Sequence, residues 1–147
     1  MTQVLIVMGS ESDMPIMQKA ADFFKEHDIS YEIHVASAHR NPKKVHALAE
    51  QVEKSMDVVI AAAGMAAHLP GVFASLVTKP VIGVPINSSM DGLDALLAIV
   101  QMPPGIPVAT VAINGAKNAA ILAMQMLALK DTKIQARFQA FRQSMQA

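Results

Sequence analysis

Two histidines and an arginine are the side chains in this sequence best suited to chemistry. Ser37-Ala38-His39-Arg40 sets an imidazole, which exchanges a proton near neutral pH, beside a guanidinium whose planar fork suits a phosphate or carboxylate. His68 lies in a second segment, Ala66-Ala67-His68-Leu69-Pro70-Gly71, that is otherwise small and apolar. A third segment, Gly9-Ser10-Glu11-Ser12-Asp13, combines a glycine for a tight turn with two hydroxyls and the exposed amides of a helix start. Such a segment fits a phosphate or a ribose. Each of these also reads as ordinary structure: a helix cap at residues 9–13, a surface ion pair at Arg40, a capping histidine at His39 or a hydrogen-bonded one at His68. The readings separate on whether the fold gathers these residues in one place. His27, His34 and His46 fall inside elements, without a His-x-x-x-His or His-Glu pattern, so no metal is expected.

The elements that must position these residues alternate along the chain. Apolar, β-branched runs at residues 4–8, 31–35, 58–62, 80–84 and 108–113 have strand length and little polar alternation, as strands covered on both faces do. Helical patterns lie between them. The first starts near Asp13, a candidate cap, with Pro15 in the tolerant first turn and Ile16, Ala20, Phe23 and Phe24 on one face. The second opens at Asn41-Pro42 and runs to about Lys54. A short helix follows His68, others cover about residues 92–100 and 116–129, and Asp91 and Asp94 are candidate caps around Gly92. An amphipathic stretch at residues 132–146 carries Ile134, Phe138, Phe141 and Met145. This alternation predicts one α/β domain over residues 1–147: a three-layer, flavodoxin-like or Rossmann-like fold with a central parallel sheet and a C-terminal helix. In such sheets ligands sit at the carboxyl ends of the strands. Gly9–Asp13, Ser37–Pro42, the His68 loop, Pro85-Ile86-Asn87-Ser88-Ser89 and Asn114-Gly115-Ala116-Lys117-Asn118 all follow strands, and so converge on one edge.

Composition narrows the function. The 147 residues carry 12 basic and 12 acidic side chains, without the positive excess a nucleic-acid binder needs. Cysteine is absent, which excludes disulfides and thiolate chemistry. No apolar run approaches membrane-spanning length and no leader-like segment opens the chain, so a cytoplasmic location is expected, with no membrane partner. No Gly-Lys-Ser/Thr phosphate loop and no G-x-G-x-x-G fingerprint is present, so neither ATP hydrolysis nor nicotinamide chemistry is indicated. Across residues 55–116 the only charged side chains are Asp57, Lys79, Asp91 and Asp94. So much uncharged surface exceeds what one small chain can bury, which predicts a homo-oligomer larger than a dimer.

Taken together, Gly9-Ser10-Glu11-Ser12-Asp13, Ser37-Ala38-His39-Arg40-Asn41-Pro42, Ala66-Ala67-His68-Leu69-Pro70-Gly71 and Ile99-Val100-Gln101-Met102-Pro103-Pro104-Gly105-Ile106-Pro107 resemble the class I N5-carboxyaminoimidazole ribonucleotide mutases of purine biosynthesis, the family that includes the catalytic subunit of phosphoribosylaminoimidazole carboxylase. The resemblance runs from about Val4 to Leu129, with the motifs in order. It implies conversion of N5-carboxyaminoimidazole ribonucleotide to 4-carboxy-5-aminoimidazole ribonucleotide without metal or organic cofactor, in a homo-octamer. It also implies that His39 is the general acid/base. Ser10, Ser12, Asp13, Ser37 and Arg40 would then contact the nucleotide, and Gly64, Ala66, His68 and Leu69 would line the base pocket.

The sequence departs from the commoner family pattern in places. Ala62 stands where a glycine is usual, Ala95 and Ala98 where serines are frequent, and the loops at residues 87–92 and 114–118 are shorter by about one and two residues. These departures leave the carboxyl donor open, the alternative being direct carboxylation of aminoimidazole ribonucleotide by CO2. A non-catalytic flavodoxin-like module is a second alternative. It is disfavoured because Ala61 and Ala62 hold the place of a receiver's aspartate, and aromatics for stacking a flavin are scarce.

Overall fold

A computed structural model of the chain describes residues 2–146. Five strands, β1 (Val4–Met8), β2 (Tyr31–Val35), β3 (Val58–Gly64), β4 (Val81–Ile86) and β5 (Ala109–Thr110), form one sheet in the order β2-β1-β3-β4-β5, every neighbouring pair parallel. The connections are α1 (Met14–Glu26), α2 (Pro42–Ser55), α3 (Leu69–Leu76) and α4 (Leu93–Val100), and α5 (Ala116–Ala128) and α6 (Thr132–Ser144) follow β5. The strand order is that of flavodoxin-like sheets. Among the described residues no helix is long and apolar enough to cross a membrane.

The apolar strand runs follow from cover on both faces. Val4, Ile6 and Met8 face a core with α1, α5 and Ile134 of α6, while Leu5 and Val7 face a second core with α2, α3 and Ile99 of α4. All five β1 side chains are fully buried, and β3 and β4 are buried nearly throughout. Alternation would place a polar group in one core or the other, so the sequence shows none.

The structure corrects several expectations. β2 is an edge strand, half-buried along its length. Residues two apart share a face of a strand, so His34 Nε2 meets Glu32 Oε2 at 3.0 Å, a His-Glu pair that a helical spacing rule overlooks. Among the described residues no group of three His, Cys, Asp or Glu side chains is placed to hold a metal. Met145 is exposed and lies beyond the packed face of α6. The fifth strand shrinks from residues 108–113 to Ala109–Thr110. Pro85 is the cause: Gly83 and Pro85 turn the same side toward β5, and Pro85 has no N–H to give. The Gly83 carbonyl still accepts from Val111 N at 3.2 Å, and the Pro85 carbonyl accepts from Asn114 N at 2.7 Å, but no reciprocal donor continues the ladder.

Gly83 sets how closely the helices approach β4. A Cβ there would lie 2.4 Å from Ile99 Cγ2 and 3.0 Å from Val108 Cγ1. Both neighbours are branched close to their backbones and Ile99 is buried, so the misfit cannot be absorbed by a flexible side-chain end. Gly83→Ala is therefore expected to lower unfolding stability by about 1–3 kcal/mol, read from urea denaturation, with the strand-end loops unaltered in sequence.

Candidate functional site

The site is built at the carboxyl ends of β1, β2, β3 and β4. Beyond β1 the chain makes a 3-10 turn, Glu11–Asp13, before α1. Ser10 caps it, its hydroxyl accepting from Ser12 N at 3.3 Å and lying 2.9 Å from Ser12 Oγ. Asp13 was expected to cap α1. It stands at that position but its side chain makes no capping bond, because the carboxyl turns inward and only 8% of the residue is exposed. Burial raises the Asp13 carboxyl pKa above its ordinary value, and the Ser10 amide offsets only part of the rise. A buried carboxyl with a displaced pKa at a cavity makes Asp13 a candidate functional residue.

Beyond β2 the chain turns through residues 38–40 into α2. Asn41 N donates to Ser37 O at 2.8 Å, and the Asn41 side chain accepts from Lys44 N at 3.2 Å, as the Asn41-Pro42 cap predicts. Lys44 Nζ donates to Val35 O at 2.6 Å, closing the end of β2. Arg40 crosses from this turn to the first loop: Nη2 donates to Gly9 O at 3.1 Å, and its backbone N and Nε reach Ser37 Oγ at 3.2 and 3.4 Å. One edge of the guanidinium is thus used as a strut between two loops. His39 is exposed beside it.

These loops enclose a cavity of ≈ 520 Å³, within the range of small-molecule sites. Ser10, Ser12, Asp13, Ser37, His39 and Arg40 line one side, and Gly64 and Leu69 the other. Eight of the ten residues singled out in the sequence therefore meet in one place. Ala66 and His68 do not: both are exposed and outside the lining. Arg40 also borders a smaller groove of ≈ 400 Å³ on its far side, with Glu11, Val35 and Asn41.

The sequence reading assigned no individual role to five further wall residues, Ala38, Ala63, Met65, Ala67 and Ser88. Met65 is 61% exposed and adopts a left-handed backbone, φ 56°, uncommon for a residue with a side chain. Ser88 follows β4, so the same rule that pointed to the other loops also points to it.

The chain is similar to known proteins of one family. Residues 3–147 match the family model described as AIR carboxylase. The chain is 56% identical over 144 residues to the N5-carboxyaminoimidazole ribonucleotide mutase of Methanocaldococcus jannaschii, covering 97% of this chain and 89% of that protein. It is 52% identical over 147 residues to the protein of the same name from Pyrococcus abyssi, covering 99% and 84%. Among solved structures, Treponema denticola PurE superposes with a TM-score of 0.85 at 29% identity, covering 98% of this chain and 91% of that one. A PurE2 variant from the same organism gives 0.89 at 31% identity with the same coverage.

The buried carboxyl of Asp13 gives a prediction whose sign can be worked out. Its folded-state pKa lies above the ordinary 3.8, so folding favours the protonated acid. The resulting stability is present below pH 3.8 and is lost as the pH rises through the raised folded value. Asp13→Asn removes the charge and keeps the shape, so it should raise the melting temperature at pH 7. That advantage should shrink on acidification and vanish below about pH 3.8. Thermal melts of both proteins across pH 3–8 check this.

Proposed function

The chain belongs to the AIR carboxylase family, and on that premise we propose that it is an N5-carboxyaminoimidazole ribonucleotide mutase of purine biosynthesis, with His39 as its proton carrier. The observation that carries this reading is 56% identity to a protein of that name over nearly the whole chain.

Moving a carboxylate from an exocyclic nitrogen to a ring carbon divides into release and recapture. As the N–C bond breaks, the imidazolium of His39 gives its proton to the nitrogen, and CO2 departs. The ring carbon then attacks CO2, and neutral His39 removes the proton from that carbon. Proton gain and loss balance, so one imidazole suffices and no cofactor is required. Arg40 with Ser10 and Ser37 would hold the phosphate, and Asp13 would accept from ribose hydroxyls. Orientation of this kind places the ring beside His39 and keeps CO2 within reach of its carbon.

In a single chain the cavity opens to solvent, and Ala66 and His68 stand outside it. Retaining CO2 therefore requires cover, and assembly into a homo-octamer is part of this proposal. Its support is the apolar stripe Leu93, Leu97 and Val100, exposed along α4 at helical spacing, together with exposed Met65 and Met90 on nearby loops. A cytoplasmic location belongs to the same reading, on the strength of the relatives' metabolic reaction.

Two measurements test it. Purified protein should convert N5-carboxyaminoimidazole ribonucleotide to the 4-carboxylated product, followed by absorbance, and His39→Asn should lower turnover by about 100-fold or more. Efficient carboxylation of aminoimidazole ribonucleotide at modest bicarbonate would instead make the protein a direct carboxylase. Sedimentation equilibrium at micromolar concentration should show a species larger than a dimer, and a monomer would overturn the assembly.

A further inference from the structure

We propose that Ser88 is a substrate-binding residue that holds the carboxylate of the nucleotide, and that Asn114 is the residue that positions it. This rests on the mutase reading above and extends it to the opposite wall of the cavity.

The sheet order gives the direction. Arg40 and Ser37 follow β2 and Ser88 follows β4, with β1 and β3 between them. Three strand spacings amount to roughly 14 Å, the scale of an extended nucleoside monophosphate. His39 and Ser88 therefore lie on opposite sides of the cavity, so a ring held beside His39 can direct its carboxylate substituent toward the Ser88 wall. The wall around Ser88 is otherwise apolar, with Ala63, Ala67 and Leu69. An ionised carboxylate accepts hydrogen bonds and donates none, so a hydroxyl donor is the group that this end requires.

The hydroxyl is available and belongs to a residue that lines the cavity. Its neighbours are committed: Ser89 Oγ donates to Asp94 Oδ2 at 2.5 Å, and Ser88 N to Ile86 O at 3.0 Å. Among the described residues the Ser88 hydroxyl itself forms no hydrogen bond. It lies against Gly64, where an added Cβ would come 2.6 Å from Ser88 Oγ and 3.3 Å from Ser88 Cβ. Ser88 is exposed at the cavity wall, and the bare backbone of Gly64 is what lets its side chain approach β3 this closely.

Asn114 holds the segment in place. Its Oδ1 accepts from Asn87 N at 2.9 Å and its own N donates to Pro85 O at 2.7 Å, bracketing the end of β4 just before Ser88. Its backbone is left-handed, φ 60°, a conformation that asparagine and glycine tolerate. The two loops that are shorter than the family pattern, at residues 87–92 and 114–118, are therefore tied to each other by this side chain.

The test compares two nucleotides that differ only in the carboxylate: 4-carboxy-5-aminoimidazole ribonucleotide and 5-aminoimidazole ribonucleotide. Calorimetric titration of the wild-type assembly with each, beside its turnover assay, first tests the mutase reading. A wild type that binds neither and turns nothing over defeats that reading, whatever the variants do. Given an active wild type, Ser88→Ala should weaken binding of the carboxylated nucleotide about tenfold or more, and change binding of the uncarboxylated one less than about twofold. Asn114→Gly keeps the backbone conformation and loses the acceptor, so it should shift the same ratio in the same direction by a smaller factor. Equal weakening of both nucleotides by Ser88→Ala would mean a structural role and would overturn the proposal, as would an unchanged ratio.

Discussion

Covering a parallel sheet on both faces is the constraint on which the rest of this structure depends. Once β1, β3 and β4 are buried on each side, no strand interior can hold a polar functional group without placing it in an apolar core. Chemistry is therefore displaced to the strand ends, where backbone leaves the sheet and side chains reach solvent. Loops from opposite helical layers then diverge between β1 and β3, and the crevice they leave is the cavity. The same burial accounts for part of the scarcity of charge across residues 55–116, which contain β3, α3, β4 and α4.

Arg40 shows how the site is stiffened before any ligand arrives. Its guanidinium joins the carbonyl of Gly9 to the hydroxyl of Ser37, so the loops after β1 and β2 are tied together. Lys44 adds a second tie from α2 back to Val35 O. Such preorganisation reduces the ordering cost of binding, and it leaves the outer guanidinium edge free for an anion. Asp13 illustrates the opposite economy. A carboxyl held away from water destabilises the fold when ionised, and Asp13 carries that cost at the cavity wall.

Most of the fold was legible in the sequence because its signals are local. β1 and β2 have the expected bounds, and Asn41-Pro42 opens α2 through the expected cap. The shortened β5 was not legible, since its cause is a missing donor on a neighbouring strand, Pro85, rather than anything in residues 108–113. The inward turn of Asp13 is a tertiary effect for the same reason. For the site, the strand-end rule found the loops of His39, Arg40, Ser10 and Gly64. It gave no role to Ser88, whose placement depends on a close approach to Gly64 and on a bond from Asn114, both distant in sequence.

The abbreviated β5 also bears on how the sheet meets other chains. An edge strand with a full row of free donors and acceptors is a template for adding strands from another molecule, and hence for fibrous aggregation. Here one edge has only two residues paired in register, after which Pro85 and Asn114 turn the chain away. The other edge, β2, carries Glu32 and His34 side by side with Gln51 leaning on the carboxylate, a polar border that an incoming strand would have to disrupt. Both margins of the sheet therefore resist extension by a strand from another molecule.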